Sequence, residues 1–201
     1  MIKYPNGKAF EKEIKQEKKH KKSSEEISLS AANRGMNLEN DINISLEYYR
    51  EKNIALLYKR PTPINIVKVD YSHGAKIVDA YFEEQSTTDY NGVYRGKYID
   101  FEAKNTKSKT SLPLANISKH QIEHLKKVKV HGGITFFVIG FQILNEVYLI
   151  DGDYVVRFYE EEKRKSLPYD EIKKYGQLIE LGYMPRLHLI EAIDALYFKK
   201  N

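Results

Sequence analysis

Leu38, Ile42, Leu46 and Tyr49 recur at helical spacing, and this predicts an amphipathic helix over 36–51. The short apolar run IALLY, 54–58, predicts a buried strand. From 59 to 85 the pattern loosens. Pro61 and Pro63 interrupt pairing, Ile64, Ile66 and Val69 read as extended chain, Ser72-His73-Gly74 as a turn, and Ile77 to Phe82 as extended again. So long an excursion between core strands predicts a protrusion; one more pair of sheet strands fits the pattern equally well.

Residues 87–104 read as an antiparallel hairpin. A two-residue turn at Arg95-Gly96, with Gly96 left-handed, sets Asp89 opposite Glu102. Asn91-Gly92 is the stronger turn signal and argues for another register or a wide loop. Beyond the turn, apolar and charged residues alternate: Ile99, Phe101 and Ala103 on one face, Asp100, Glu102 and Lys104 on the other. Ser118 with Gln121 three residues on resembles a capping box, opening a helix whose buried side is Ile122, Leu125 and Val128. ITFFVIGF (134–141) and VYLI (147–150) read as central strands, and Asp151-Gly152 as a turn into YVVRF (154–158). Pro168–Leu181 and His188–Phe198 read as two closing helices. The order predicts one α/β domain over 31–201, a mixed sheet flanked by helices.

Composition places this domain among globular proteins of the cytoplasm. The 201 residues include no cysteine, which excludes disulfides, thiolate zinc sites and a cysteine nucleophile. The opening MIKYPNGKAF lacks the apolar region of a secretory signal, and the run 134–141 is too short to span a bilayer as a helix. The net charge of +5 is carried by residues 1–22, which hold eight lysines against three glutamates. Residues 1–30 read as a flexible basic arm. A second basic segment, 104–131, holds seven lysines and three histidines against the single acid Glu123. Arm and segment together are the footprint of a polyanion binder.

Asp89, Glu102 and Lys104 form the candidate chemistry. Acid-x-lysine triplets occur five times in the chain, so the triplet alone carries little. Only Glu102-x-Lys104 sits on an alternating strand with an aspartate brought alongside by a hairpin. Phosphodiester hydrolysis needs such a set: carboxylates hold a hard divalent ion, and a lysine orients or deprotonates water or offsets developing charge. An ordinary half-buried strand with a solvated polar side is the plain alternative. His120 and His124 have the i, i+4 spacing of a helical metal pair but no third ligand, and read as DNA-facing or solvated. Nucleophile-elbow, Walker and dinucleotide motifs are absent.

Asp89, Glu102 and Lys104 resemble the PD-(D/E)xK nuclease signature. The longer string STTDYNGVYRGKYIDFEAKNTKSKTSLP, with ISKHQIEHL after it, resembles the RecU family of Holliday-junction resolvases. AANRGMNLENDI (31–42) resembles that family's first core helix and KRPTPI the entry to its stalk. The resemblance implies a restriction-endonuclease-like fold with a protruding stalk near 60–85. It implies a homodimer that uses Mg²⁺, with Mn²⁺ as a substitute. The expected reaction is the nicking of two like-polarity strands of a four-way junction, leaving 5′-phosphate and 3′-hydroxyl ends. RecA recombinase and the branch-migration machinery are implied partners.

In residues, the resemblance implies that Asp89 and Glu102 bind metal and that Lys104 stabilises the transition state. Thr87 and Gln121 match further metal-site positions, their plain readings being a strand residue and a helix cap. Glu39 is a possible additional acid. Arg60, Lys68, Lys76, Lys107, Lys109, Lys119 and Lys127 are the cations expected to meet DNA. A DNA-annealing or architectural protein and a sequence-specific restriction enzyme on the same fold are the competing readings.

Overall fold

The computed structural model describes residues 37–83, 87–161 and 163–198. The basic arm and the expected start of the core at 31 lie outside them. Helix α1, Leu38–Glu51, is capped by the Asn37 side chain, which accepts the Asn40 N–H at 3.4 Å. Its buried stripe includes Leu38, Ile42, Leu46 and Tyr49, the four positions of the sequence pattern. Strand β1, Leu56–Lys59, follows at the end of the six-stranded sheet. It was expected to be buried; instead Leu57 is buried while Leu56 and Tyr58 stay 53% and 51% exposed. A short apolar run does not say how many of its faces are covered, and an edge strand covers one.

β2, Ile64–Asp70, and β3, Lys76–Phe82, pair with each other in a two-stranded sheet separate from the main one. Every residue of β3 is exposed, so this is the protrusion, and the added-sheet-strands alternative falls. Its register sets Lys68 opposite Asp79 and Lys76 opposite Asp70.

β4, Tyr90–Tyr94, and β5, Lys97–Thr106, form the hairpin with Tyr90 opposite Phe101 and Tyr94 opposite Lys97. Arg95 (φ 49°) and Gly96 (φ 72°) both take the left-handed conformation of a two-residue turn. The competing Asn91-Gly92 signal has a different cause. Gly92 faces β1 across the ladder, where a Cβ would lie 1.9 Å from the Leu56 carbonyl oxygen. Its glycine permits close approach within a strand rather than a turn.

After β5 come the short strand β6, Ser111–Pro113, and helix α2, Lys119–Val130; β7, Ile134–Phe141, then lies parallel to β5. β8, Glu146–Asp151, continues the sheet. The full strand order is β1-β4-β5-β7-β8-β10, where β10 is Gln177–Ile179, with β5/β7 the parallel pair. One face of the sheet, with Ile99, Phe101, Phe136 and Val138, packs α1 and the last helix. The other, with Phe137, Ile139 and Ile150, packs α2 and helix α3, Gly152–Glu161. On the first face Tyr90, Phe101 and Phe136 stack in sequence, with ring centroids 4.7 and 4.8 Å apart. Each such pair adds about 0.5–1.5 kcal/mol beyond its burial.

Two late segments depart from the sequence pattern. Where a turn at Asp151-Gly152 was expected, helix α3, Gly152–Glu161, begins and contains YVVRF. The Asp151 carboxylate accepts the N–H groups of Asp153 (2.9 Å) and Tyr154 (3.3 Å), and this capping together with burial of Val155 and Phe158 overrides β-branched propensity. The helix expected over 168–181 is broken. After β9, Ser166–Pro168, helix α4 spans only Tyr169–Tyr175, Gly176 ends it, and β10, Gln177–Ile179, joins the sheet beside β8. Helix α5, Leu189–Tyr197, closes the fold as expected.

Candidate active site

The polar side of β5 is not solvated. β5 lies beside β7 with Glu102 next to Phe137 and Asp100 next to Thr135, so its charged face belongs to the layer covered by α2. Asp100 and Glu102 are 0% and 1% exposed. This overturns the plain reading of a half-buried strand and demands partners for both carboxylates.

Glu102 finds them on either side. Lys104 Nζ lies 2.8 Å from Glu102 Oε1, and the Asp89 backbone N–H donates to Oε2 at 3.1 Å. The hairpin thus brings Asp89 to Glu102 as its register requires. Burial pushes the Glu102 carboxyl up to about 7; the Asp89 carboxylate adds to the rise and Lys104 opposes it. Tyr90, next in the chain, is fully buried, and its hydroxyl has no hydrogen-bond partner. Burial raises that phenol, and the charges of Glu39, Asp89 and Glu102 raise it further, so its environment is strongly negative.

A cleft of about 210 Å³ opens at Asp89, bounded by Glu39, Lys59, Ala103 and Asn105. Glu39 therefore stands at the mouth of the same cleft, ion-paired to Lys59. Thr87 lies elsewhere, in a groove along α2 with Lys119, His120, Glu123, His124 and Lys127. Gln121 is buried, and its Oε1 accepts the Ser118 N–H at 3.1 Å, which is the capping role. Lys68 and Lys76 are exposed on the stalk, and Lys107 and Lys109 are exposed just beyond β5. Elsewhere on α2, Lys126 and Lys129 are tied to Glu160 (2.7 Å) and Asp153 (2.8 Å) of α3.

Arg60 is engaged inward. Its guanidinium binds Asp100 and donates to the Tyr98 hydroxyl at 2.8 Å. Asp100 also accepts from the Tyr98 hydroxyl at 2.9 Å and from the Thr88 hydroxyl, and His124 Nε2 lies 3.0 Å away. Sequence reasoning passed over this cluster. Alternation did place Asp100 beside Glu102, but its partners come from three separate elements. His124 thus faces a carboxylate. Among the described residues no group of three or more His, Asp or Glu is arranged to hold a metal.

The model of the family described as Recombination protein U matches residues 33–195. The chain belongs to the RecU family. Among RecU relatives, the Holliday junction resolvase of Geobacillus sp. (strain WCH70) is 50% identical over 98% of both chains. Those of Geobacillus thermodenitrificans and Bacillus cytotoxicus are 48% and 47% identical, also over 98% of each chain. The solved structure of Hjc, a Holliday junction resolvase of Archaeoglobus fulgidus, overlaps 70% of this chain and 93% of its own at a TM-score of 0.41 and 12% identity.

Proposed function

We propose that the protein is an endonuclease that resolves Holliday junctions by paired nicks, using a divalent cation. The observation that carries this is the buried Glu102, met by Asp89 across the hairpin and by Lys104 at 2.8 Å, in a chain half identical to resolvases over nearly its full length. The residues fit a metal. A carboxyl raised to about 7 beside a second carboxylate is short of positive charge, and the unpartnered hydroxyl of Tyr90, which lines the cleft with Asp89, suits a hydrated cation's water. Two carboxylates with water filling the remaining positions match Mg²⁺, which keeps several waters, and Mn²⁺ has the same oxygen preference.

Asp89 and Glu102 would hold the ion. When bound, it supplies a Lewis acid that binds phosphate and activates water. The protein's own residues do the rest. Lys104 sits on Glu102, where its ammonium can hold the attacking water or neutralise charge building on phosphorus; such a group contributes about 10²–10⁴ in rate. Thr87, in the α2 groove, and Gln121, at the helix cap, act through water or by placing α2. Lys107, Lys109, Lys119 and Lys127 supply phosphate contacts that position a strand without reading sequence. Lys68 and Lys76, faced by Asp79 and Asp70, make the stalk a reader of shape more than a cationic clamp. A junction has two equivalent strands to cut, which a homodimer with two equivalent sites matches. RecA recombinase and the branch-migration machinery are the partners this role calls for, in the cytoplasm.

The test is cleavage of a four-way junction and of linear duplex at equal concentration, with Mg²⁺, with Ca²⁺ and with neither. A resolvase cuts the junction alone, symmetrically and only with Mg²⁺. Sequence-specific cutting of duplex would replace this reading with a restriction enzyme, and tight binding without cutting would replace it with an annealing protein.

A further inference from the structure

We infer that Asp100 is a positioning residue that ties the root of the stalk to the segment Thr87–Asp89, which carries the proposed metal ligand Asp89. The inference rests on the proposed function for what the segment does, but its geometry stands by itself. Asp100 is fully buried and takes four partners. Each comes from a part of the molecule that the reaction needs in register. Thr88, also fully buried, lies between the two candidate metal residues, and its hydroxyl is anchored on Asp100 Oδ1. Arg60 is the last residue before Pro61, where the chain leaves the sheet for the stalk. Its side chain binds Asp100, and its backbone N–H donates to the Asp89 carbonyl at 2.7 Å. His124, from the middle of α2, completes the cluster.

Two routes therefore lead from the stalk root to Asp89, and both pass through Arg60. One is the direct backbone bond. The other runs from guanidinium to Asp100 to Thr88. Asp100 is also two residues from Glu102 on the same face of β5, so one strand segment fixes both the carboxylate that would bind metal and the anchor of the segment opposite. Partners of this kind orient metal ligands without touching the metal, and their loss typically costs about 10–100-fold in affinity or activity. The same cluster explains why an arginine expected on DNA points inward, and it gives junction binding at the stalk a mechanical path to the site.

Asp100→Asn, Thr88→Val and Arg60→Gln separate this role from simple structural support. Thr88→Val removes only one hydroxyl and leaves the Arg60–Asp100 pair, so it decides the matter if Asp100→Asn fails to fold. The first readout is calorimetric titration of metal-free protein with Mn²⁺ in the absence of DNA. Asp100→Asn and Thr88→Val should each weaken Mn²⁺ binding, by about tenfold for the former. Junction affinity in Ca²⁺ should hold, and kcat should recover towards wild type at high metal. For Arg60→Gln, the positioning role predicts weaker Mn²⁺ binding with an unchanged dependence of junction binding on salt. A phosphate contact predicts the reverse, a salt slope reduced by about one unit with Mn²⁺ affinity intact, and that outcome would overturn the inference. So would folded Thr88→Val protein that binds Mn²⁺ as wild type does. Wild-type protein that binds Mn²⁺ yet cuts no junction would remove the resolvase reading and leave this one standing.

Discussion

At the residue scale, Glu102 is the group on which the site turns, because its burial is unfavourable without a cation. Its carboxyl is raised to about 7 in the folded chain, against an ordinary value of 4.5. A group raised on folding contributes stability that is fully present below its unfolded pKa and is lost as pH climbs through the folded one. Metal-free protein should therefore lose stability to Glu102 between about pH 4.5 and 7 and stay at that lower level above. Glu102→Gln should abolish cleavage but remove this loss, so its melting temperature should exceed that of wild type at pH 8, by the equivalent of about 1–3 kcal/mol. The gap should close by pH 5, and Mg²⁺ should narrow it at pH 8 by favouring the ionised acid. A gap independent of pH would show that Glu102 is not held near neutrality. Lys104→Ala acts differently: kcat should fall about 10²-fold or more with junction binding unchanged. If that variant instead failed to bind Mn²⁺, Lys104 would be an organiser of Glu102. The gathering of Asp89, Glu102 and Lys104 was legible because a period of two, a turn and a hairpin register are local facts. Asp100 was not, since neither Arg60 nor His124 is near it in sequence.

At the scale of elements, the sequence is clear where one local signal acts alone and misleading where two compete. Helix α1 follows directly from four apolar positions. Asp151-Gly152 reads as a turn into YVVRF, yet Asp151 there caps a helix that buries Val155 and Phe158. The dipeptide Asn91-Gly92 reads as a turn, yet its glycine answers a steric demand from Leu56, a residue some 36 positions earlier whose approach no local pattern announces. The stalk was legible for the opposite reason. Pro61 and Pro63, just ahead of the first of two extended runs, argue against a central strand there, and β2 and β3 pair only with each other. Because β3 is exposed throughout and β2 nearly so, the stalk contributes little core. Replacing 62–83 with a short Gly/Ser linker, which spares Arg60, should leave melting within a few degrees of wild type and Mn²⁺ binding intact. Preference for junction over duplex should largely vanish. Competition binding of the two DNAs checks this, and a folded variant with its preference undiminished would take junction reading away from the stalk.

At the scale of the whole molecule, what is exposed tells more than what is buried. The α2/α3 face of the sheet is covered over β5, β7 and β8, but it continues past the helices onto β4 and β1. There Leu56, Val93 and Tyr98 lie in one row across three strands, set by the registers Leu56–Val93 and Val93–Tyr98. They are 53%, 47% and 39% exposed, and Tyr58 on the same face of β1 is 51% exposed. Single exposed apolar residues are ordinary, but a contiguous row ending at a sheet edge is the kind of surface that another protein surface covers. A second copy of this chain is the occupant that the proposed reaction requires. The row also abuts the site: the Tyr98 hydroxyl binds Asp100 and Arg60, so a partner seated there would press on the cluster that holds Asp89. Two charges in the middle of this row, Leu56→Glu with Val93→Glu, would be buried unpaired in a dimer and cost little in a monomer, where both positions face water. The double variant should melt like wild type and sediment as a monomer. It should still nick a junction slowly, but lose the simultaneous second nick, leaving singly cut product. Sedimentation equilibrium and a cruciform plasmid, which linearises only when both strands are cut within one binding event, read the two effects separately. A folded double variant that remains dimeric would move the dimer contact away from this row, and a monomer that still linearises the plasmid would break the link between pairing of chains and pairing of cuts.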